Sequence, residues 1–418
     1  VAAQSFEELV EFVRESSPYY RELYSALPDK PGITDLPIVD HATYWAANTL
    51  TDNRLHTGPQ VGGLVFKTGG TTSAPRVSVY TRAEWREMSE TFSTGLSGAG
   101  LVDGDRVANL FYAGELYSSF IFTLNTLQDA PVDTVQLPIA GSAPLEFVAK
   151  TLEEFGATVL AAPPTSLCQL AQHVVDTIGQ LPSVRIVLFS GEAFYGDQRA
   201  LINAAFPHAR VRSIGYASVD GGILGGPVAG EEDARVHQVF PNRVMEILDI
   251  ETGEQITEPG RPGRVVVTDL VRRLQPVVRY PVGDLAEWVD IDARTFRLLG
   301  RSDEGARVGP VTVYLDDLRQ VVENATAAAG QAVTGLQVVL RRRDAKDQLV
   351  LRLAGAVRGQ EELAEAIAAG LDQARPMFAD HVAKDLINPL AVEWVGTTGL
   401  TVNPRTGKLV RLLDERGA

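Results

Sequence analysis

Apolar positions recur at helical spacing through residues 5–26, in a segment that closes on SSPYYRELYSAL. A tract rich in Pro, Gly and Asp at 28–37 then reads as a connection to a short helix near 41–48. The helical pattern returns at 81–96, where Thr81 is placed to N-cap it and Glu84, three residues on, to complete a capping box. From residue 106 strand and helix alternate. Strands are expected at 106–112, 134–137, 158–161 and 185–189, with helices at 117–127, 144–155, 166–178 and 196–206. Such alternation predicts a mostly parallel, layered sheet.

The texture changes after residue 236. Short β-branched runs at 236–240, 243–249, 263–269, 277–280, 285–289 and 294–299 are separated by turns such as ETGE and EPGRPG. They predict an antiparallel sheet or small distorted barrel. A third texture follows residue 302: a helix at 315–329, strands at 335–341 and 348–353, a helix at 360–374 and a strand near 391–395. This reads as an α+β domain of roughly 115 residues, within the usual domain range. The expected fold class is therefore α/β, with a large N-terminal domain over 1–302, barrel-like at about 236–300, and a small C-terminal domain over 303–418.

At 418 residues the chain has room for two or three domains, and 45% hydrophobic with 22% charged content is that of a globular protein. No run is long and apolar enough to span a bilayer, and no signal-peptide order is seen at the start. Cys168, the single cysteine, lies in the apolar run AAPPTSLCQL and reads as a buried, inert thiol in a reducing cytoplasm. A formal net charge of −15 argues against nucleic acid and anionic membranes as partners. It also singles out any Arg or Lys beside a glycine-rich turn, because a polyanion needs local positive charge. The 6 histidines are scattered without zinc-like spacing.

Six stretches carry candidate chemistry. The first, FKTGGTTSAPR over 66–76, joins a strand-like run to two glycines, three threonines and a serine. Glycines let backbone N–H groups approach a polyanion, and the hydroxyls add short donors. It is not a Walker loop, since no Gly-Lys-Ser/Thr follows, and taken alone it fits an ordinary polar hairpin equally well. SGEAF at 190–194 follows a strand, where open α/β sheets bind ligands, though a plain turn explains it too. SIGYASVDGG at 213–222 sets Tyr216 and Asp220 four apart, an aromatic that can stack on a purine and an acid that can reach Mg²⁺. RYPVGDL at 279–285 ends in Asp284, suited to a vicinal diol. Finally, LLGRSDEGARVG at 298–309 lies at the change of texture, and NPRTGKLVR at 403–411 carries Lys408 just past a turn.

In their order and spacing these stretches resemble the adenylate-forming superfamily of acyl-CoA synthetases and peptide-synthetase adenylation domains. SPYYRELY and DLPIVDHATYW are similar to the opening of its phenylacetate–CoA ligase-like branch, and the resemblance runs from about Glu8 to Arg411. It implies that Thr68, Gly69, Gly70, Thr71, Thr72 and Arg76 hold the β- and γ-phosphates of ATP. It implies that Gly191, Glu192 and Ala193 line the adenine, that Tyr216 stacks on it, and that Asp284 with Arg301 binds the ribose. Asp220 would stand in the Mg²⁺ position and Asp303 at the hinge to a mobile C-terminal lid. Lys408 would bridge substrate carboxylate and α-phosphate, making Lys408, Arg301 and Thr72 the catalytic set, and Phe111, Tyr112 and Glu115 would belong to the acyl pocket. Glu115 reads either as a solvated loop acid or as a partner for a substrate amino group.

The pattern departs from the family in three places. Ser73 and Ala74 replace a Gly-Lys pair, and Arg76 replaces a final lysine, which keeps the charge and adds a forked donor. Val219 and Asp220 stand where Thr-Glu is usual, and Gly309-Pro310 where Arg-Gly is usual, near the expected thiol entry. The expected function is ATP-dependent activation of a small, aryl-type carboxylic acid as its acyl-adenylate, with transfer to a thiol of CoA or of a phosphopantetheine carrier protein. Alternatives are an adenylating enzyme with a non-thiol acceptor, or a nucleotide-binding protein with degraded chemistry. A homodimer is compatible with the sequence.

Overall fold

The structure, a computed structural model, describes residues 3, 5–67, 76–301 and 305–416. The chain folds as two compact units, one of residues 1–140 and 212–302, the other of 141–211 and 303–418.

In the first unit, Ser5 and Glu8 form a capping box that starts the helix Phe6–Ser16, and Pro18 opens Pro18–Leu23, where its missing N–H costs nothing. These helices and His41–Ala47 deliver Tyr20, Tyr24 and Tyr44 to a core shared with Tyr280, Trp288 and Phe296. The Tyr20 and Tyr44 hydroxyls both donate to the Pro276 carbonyl, at 3.2 and 2.9 Å, so the rings are buried without stranding their polar ends. Thr81 and Glu84 form the expected capping box of Arg82–Ser93. Leu64–Lys67 pairs antiparallel with Val77–Tyr80, and Lys67 faces Val77 at the foot of the glycine–threonine loop. Arg106–Asn109 and Val135–Pro138 run parallel.

Among the described residues the short β-branched runs form a seven-stranded antiparallel sheet. Its order is Arg243–Leu248, Gly263–Asp269, Tyr280–Asp290, Thr295–Arg301, Val236–Val239, Gly222–Pro227 and Tyr216–Ser218. Two expectations change here. The runs at 277–280 and 285–289 are not separate strands, because Tyr280–Asp290 is one strand with register shifts. Ahead of it, Arg279 is held at φ 44°, with its guanidinium buried against Glu246 at 2.9 and 3.0 Å. That ion pair fixes a turn where β-branched composition suggests extension.

In the second unit, Val159–Ala162 and Ile186–Phe189 pair in parallel and are buried along their whole length, as a sheet covered on both faces requires. Pro164–Thr177 and Gly196–Ala205 follow them. Within 303–418, Gly335–Arg343 pairs antiparallel with Lys346–Ala354, and Leu412–Asp414 and Asn388–Val395 add parallel strands at the two edges. Leu315–Ala328, Gln360–Ala374 and Pro376–Ala383 supply helices, and a core from Ala306 to Ile387 is drawn from this segment alone. The helix Pro376–Ala383 and the hairpin Gly305–Val308/Val311–Tyr314 go beyond the sequence reading. Cys168 is buried, as expected. Among the described residues no helix is long and apolar enough to cross a membrane.

Candidate active site

Thr68, Gly69, Gly70, Thr71, Thr72 and Asp303 lie outside the described residues. The other expected residues fall into four groups, three in the first unit and one in the second.

The first cluster is built on Asp220, in the turn between Tyr216–Ser218 and Gly222–Pro227. Its Oδ2 accepts from Arg76 Nη1 at 3.2 Å and from the Tyr280 hydroxyl at 2.8 Å. Trp45 Nε1 donates to that same hydroxyl at 3.1 Å, and the Arg76 guanidinium lies 5.5 Å from the centre of the Trp45 ring. Burial opposes ionisation of Asp220. Hydrogen bonds from Tyr280 and Ser218 and the charge of Arg76 outweigh it, so its carboxyl sits below the usual range. Arg272, fully buried, donates to the Asp220 carbonyl at 2.6 Å and stacks on Tyr80 at 4.3 Å. The sequence reading does not find Arg272, because its partners are remote along the chain. Among the described residues no group of three or more His, Cys, Asp or Glu could hold a metal ion.

The second cluster joins Tyr216, Asp284 and Arg301. The Tyr216 hydroxyl donates to Asp284 Oδ2 at 2.5 Å, and Arg301 Nε lies 3.5 Å from Asp284 Oδ1. Asp284 and Arg301 face each other across Tyr280–Asp290 and Thr295–Arg301. Gly283, at φ 87°, leaves room for the guanidinium, since a Cβ there would lie 2.9 Å from Arg301 Nη2. Burial and then the Asp284 charge raise the Tyr216 phenol well above its ordinary value, so it stays a neutral donor. Behind it, His237 is buried and stacked on Phe296. Its Nδ1 faces the Arg235 carbonyl at 2.9 Å and must donate. Nε2 therefore accepts the Ser213 hydroxyl at 2.8 Å, and Ser213 Oγ accepts the Gly215 N–H at 3.1 Å. This chain fixes the turn that leads into Tyr216.

The third cluster lies in the second unit. Gly191 and Glu192 follow Ile186–Phe189, and the Lys408 stem lies against Gly191. Glu192 accepts the backbone N–H groups of Thr165 and Leu409, at 2.9 and 2.6 Å. Among the described residues the Lys408 ammonium pairs with no carboxylate. Ala193 belongs to the same turn.

No family model matches the chain. Phenylacetate-coenzyme A ligase of Thermus thermophilus is 25% identical over 452 aligned residues, covering 99% of this chain and 95% of that protein. A solved structure of 2-hydroxyisobutyryl-CoA ligase in the postadenylation state, in complex with 2-HIB-AMP, superposes with a TM-score of 0.69 at 19% identity, covering 98% of this chain and 88% of that one. The acyl acid amido synthetase AtGH3.15, in complex with 2,4-DB, gives a TM-score of 0.71 at 14% identity over 97% and 90% of the two chains. The chain shares the fold of these two enzymes. Along nearly its whole length the chain is similar to a phenylacetate–CoA ligase.

The expected pocket residues share one turn. Phe111 is buried, Tyr112 is half-buried, and Glu115 is exposed. Gly114, Glu115 and Leu116 hold φ of 95°, 48° and 61°, a left-handed run rare for side chains other than glycine. The Leu116 carbonyl accepts the Lys67 N–H at 2.9 Å, which ties this turn to the foot of the glycine–threonine loop. A cavity of about 480 Å³ in the same unit is lined by Asn48, Asn53, His56, Val77 and Val79 among others, and among the described residues by none of the expected site residues.

Proposed function

We propose that this protein activates a small, aryl-type carboxylic acid with ATP as an acyl-adenylate and transfers the acyl group to the thiol of CoA. The observation that carries this reading is the similarity to a phenylacetate–CoA ligase along essentially the whole chain. In the first step a substrate carboxylate oxygen attacks the α-phosphorus and pyrophosphate leaves. In the second, a thiol attacks the acyl carbon, AMP leaves and the thiol proton goes to solvent. The protein does little covalent work. It holds two anions in line and offsets their repulsion. On this reading Asp284 accepts ribose hydroxyls with Arg301 beside it, Tyr216 faces the adenine, and Gly191, Glu192 and Ala193 form its border. The loop 68–76 binds phosphate, Lys408 meets the carboxylate and α-phosphate, and Phe111, Tyr112 and Glu115 border the acid. Mg²⁺, when bound with ATP, neutralises phosphate charge near Asp220. We take residues 303–418 to move about Asp303 as a lid, supported by the core they form among themselves.

A panel of aryl and alkyl acids in pyrophosphate–ATP exchange tests the first step, and one acid giving strong stimulation is expected. Exchange with none would overturn the reading. CoA and a phosphopantetheinyl carrier protein, offered with that acid, distinguish the acceptors. Transfer to an amine instead would favour the amide-forming alternative, which the likeness to an amido synthetase keeps in view. Asp220→Asn should raise the Mg²⁺ concentration needed for half-maximal exchange, and an unchanged requirement removes Asp220 from that role.

A further inference from the structure

We propose that Glu192 is the positioning residue that latches the Lys408 hairpin, holding the lysine in place while leaving its charge for substrate. The proposal rests on the reading of Lys408 as the lysine that meets the carboxylate and α-phosphate. It starts from an anchored carboxylate. Thr165 is the second residue of Pro164–Thr177, so its N–H is one of the donors a helix leaves unpaired at its start. Glu192 Oε2 accepts that N–H at 2.9 Å, and Oε1 accepts the Thr165 hydroxyl at 3.0 Å. The carboxylate is thus fixed by the helix before it meets anything else. Oε1 then accepts the Leu409 N–H at 2.6 Å.

Leu409 is the residue after Lys408, in a hairpin closed by its bridge to Val402. The intervening turn is rigid, with Asn403 N donating to the Lys408 carbonyl at 2.8 Å and Gly407 N to the Asn403 carbonyl at 2.8 Å. One bond to Leu409 therefore places the whole arm. Gly191 completes the grip, because a Cβ at its position would lie 2.5 Å from Lys408 Cε and 2.8 Å from Nζ. The choice of partner matters chemically. An ion pair between Glu192 and the ammonium would cancel the charge that a carboxylate and a triphosphate need. Binding the neighbouring amide fixes position without that loss. Charge-assisted bonds of this kind correspond to about 10–100-fold in an equilibrium.

The test uses the full chain and two readouts. Hydrogen exchange at the Leu409 amide, followed by mass spectrometry or NMR, reads the latch directly. Glu192→Ala should speed it by about tenfold or more, and Glu192→Gln, which keeps an acceptor, by less. Carboxylate-dependent pyrophosphate exchange and thioester formation from a synthesised acyl-adenylate read its purpose. In Glu192→Ala the first should fall at least tenfold further than the second. Unaltered Leu409 protection overturns the latch. Faster amide exchange with an equal loss of both half-reactions overturns the positioning role. Lys408→Ala, run in parallel, isolates the underlying reading: intact pyrophosphate exchange there would remove Lys408 from the chemistry, while the Leu409 amide still decides the latch. If Glu192→Ala does not fold, Glu192→Gln and Thr165→Val supply the same comparisons.

Discussion

Asp284 shows what a sequence can and cannot say about one residue. An acid after a glycine, at a strand with an arginine to come, marks Asp284 in the sequence as a candidate diol acceptor, but its bond to Tyr216 is not legible there, because 68 positions separate them. Asp284→Ala should weaken ATP binding by roughly 1.5–3 kcal/mol, the scale of a charge-assisted hydrogen bond, as read by calorimetry. Lower stability at unchanged affinity would make Asp284 a turn residue only. His237 was missed for a plainer reason: a lone histidine in a β-branched run looks like core, and Ser213 and Phe296, which define its role, are distant in sequence. Burial holds His237 down to about 4, and His56 likewise, against about 6.5 in an unfolded chain. The unfolded state therefore binds more protons between those values, and folding stability falls as pH drops from about 6.5 to about 4. Urea unfolding across that window should show the decline in the wild type and a shallower one in His237→Gln. Parallel slopes would mean that His237 titrates normally.

Elements were legible where one local rule decides them. Thr81 and Glu84 mark a helix start by spacing alone, and the structure has the box, with Glu84 N donating to Thr81 Oγ1 at 3.2 Å and Thr81 N to Glu84 Oε2 at 2.7 Å. What spacing cannot reveal is that Glu84 has a second task. Its Oε1 accepts the N–H groups of Arg273 and Leu274 at 2.7 and 2.9 Å, in the bend that precedes Tyr280–Asp290. The run at 277–280 was misread for the same reason, since the bend is held by side chains from elsewhere. The two halves of the box should accordingly differ in energy. Thr81→Ala loses one cap and should cost about 1 kcal/mol. Glu84→Ala removes the acceptor of three N–H groups, that of Leu274 buried, and should cost about 2–4 kcal/mol in unfolding measurements. Equal costs would show that the bend does not depend on Glu84.

At the scale of the whole chain, the rhythm of strand and helix announced a change after residue 302, while the joining of 141–211 with 303–418 in one compact unit is a tertiary matter that periodicity does not carry. The consequence for mechanism lies in Lys408. The proposed lid has its own core, so it can move as a body without exposing apolar surface from within. On the proposed reading its lysine matters while the carboxylate and triphosphate are being brought together, because that is when like charges meet. Removing one preorganised donor of this kind costs about 10²–10³ in rate. Thiol attack begins from an adenylate already made, in which that repulsion is gone. Lys408→Ala should therefore nearly abolish carboxylate-dependent pyrophosphate exchange, yet largely spare thioester formation from a chemically synthesised acyl-adenylate. Unaffected exchange would leave Lys408 a surface lysine with no part in the chemistry. Equal loss of both half-reactions would mean that one fixed arrangement serves both steps, and the lid would then have no alternation to perform.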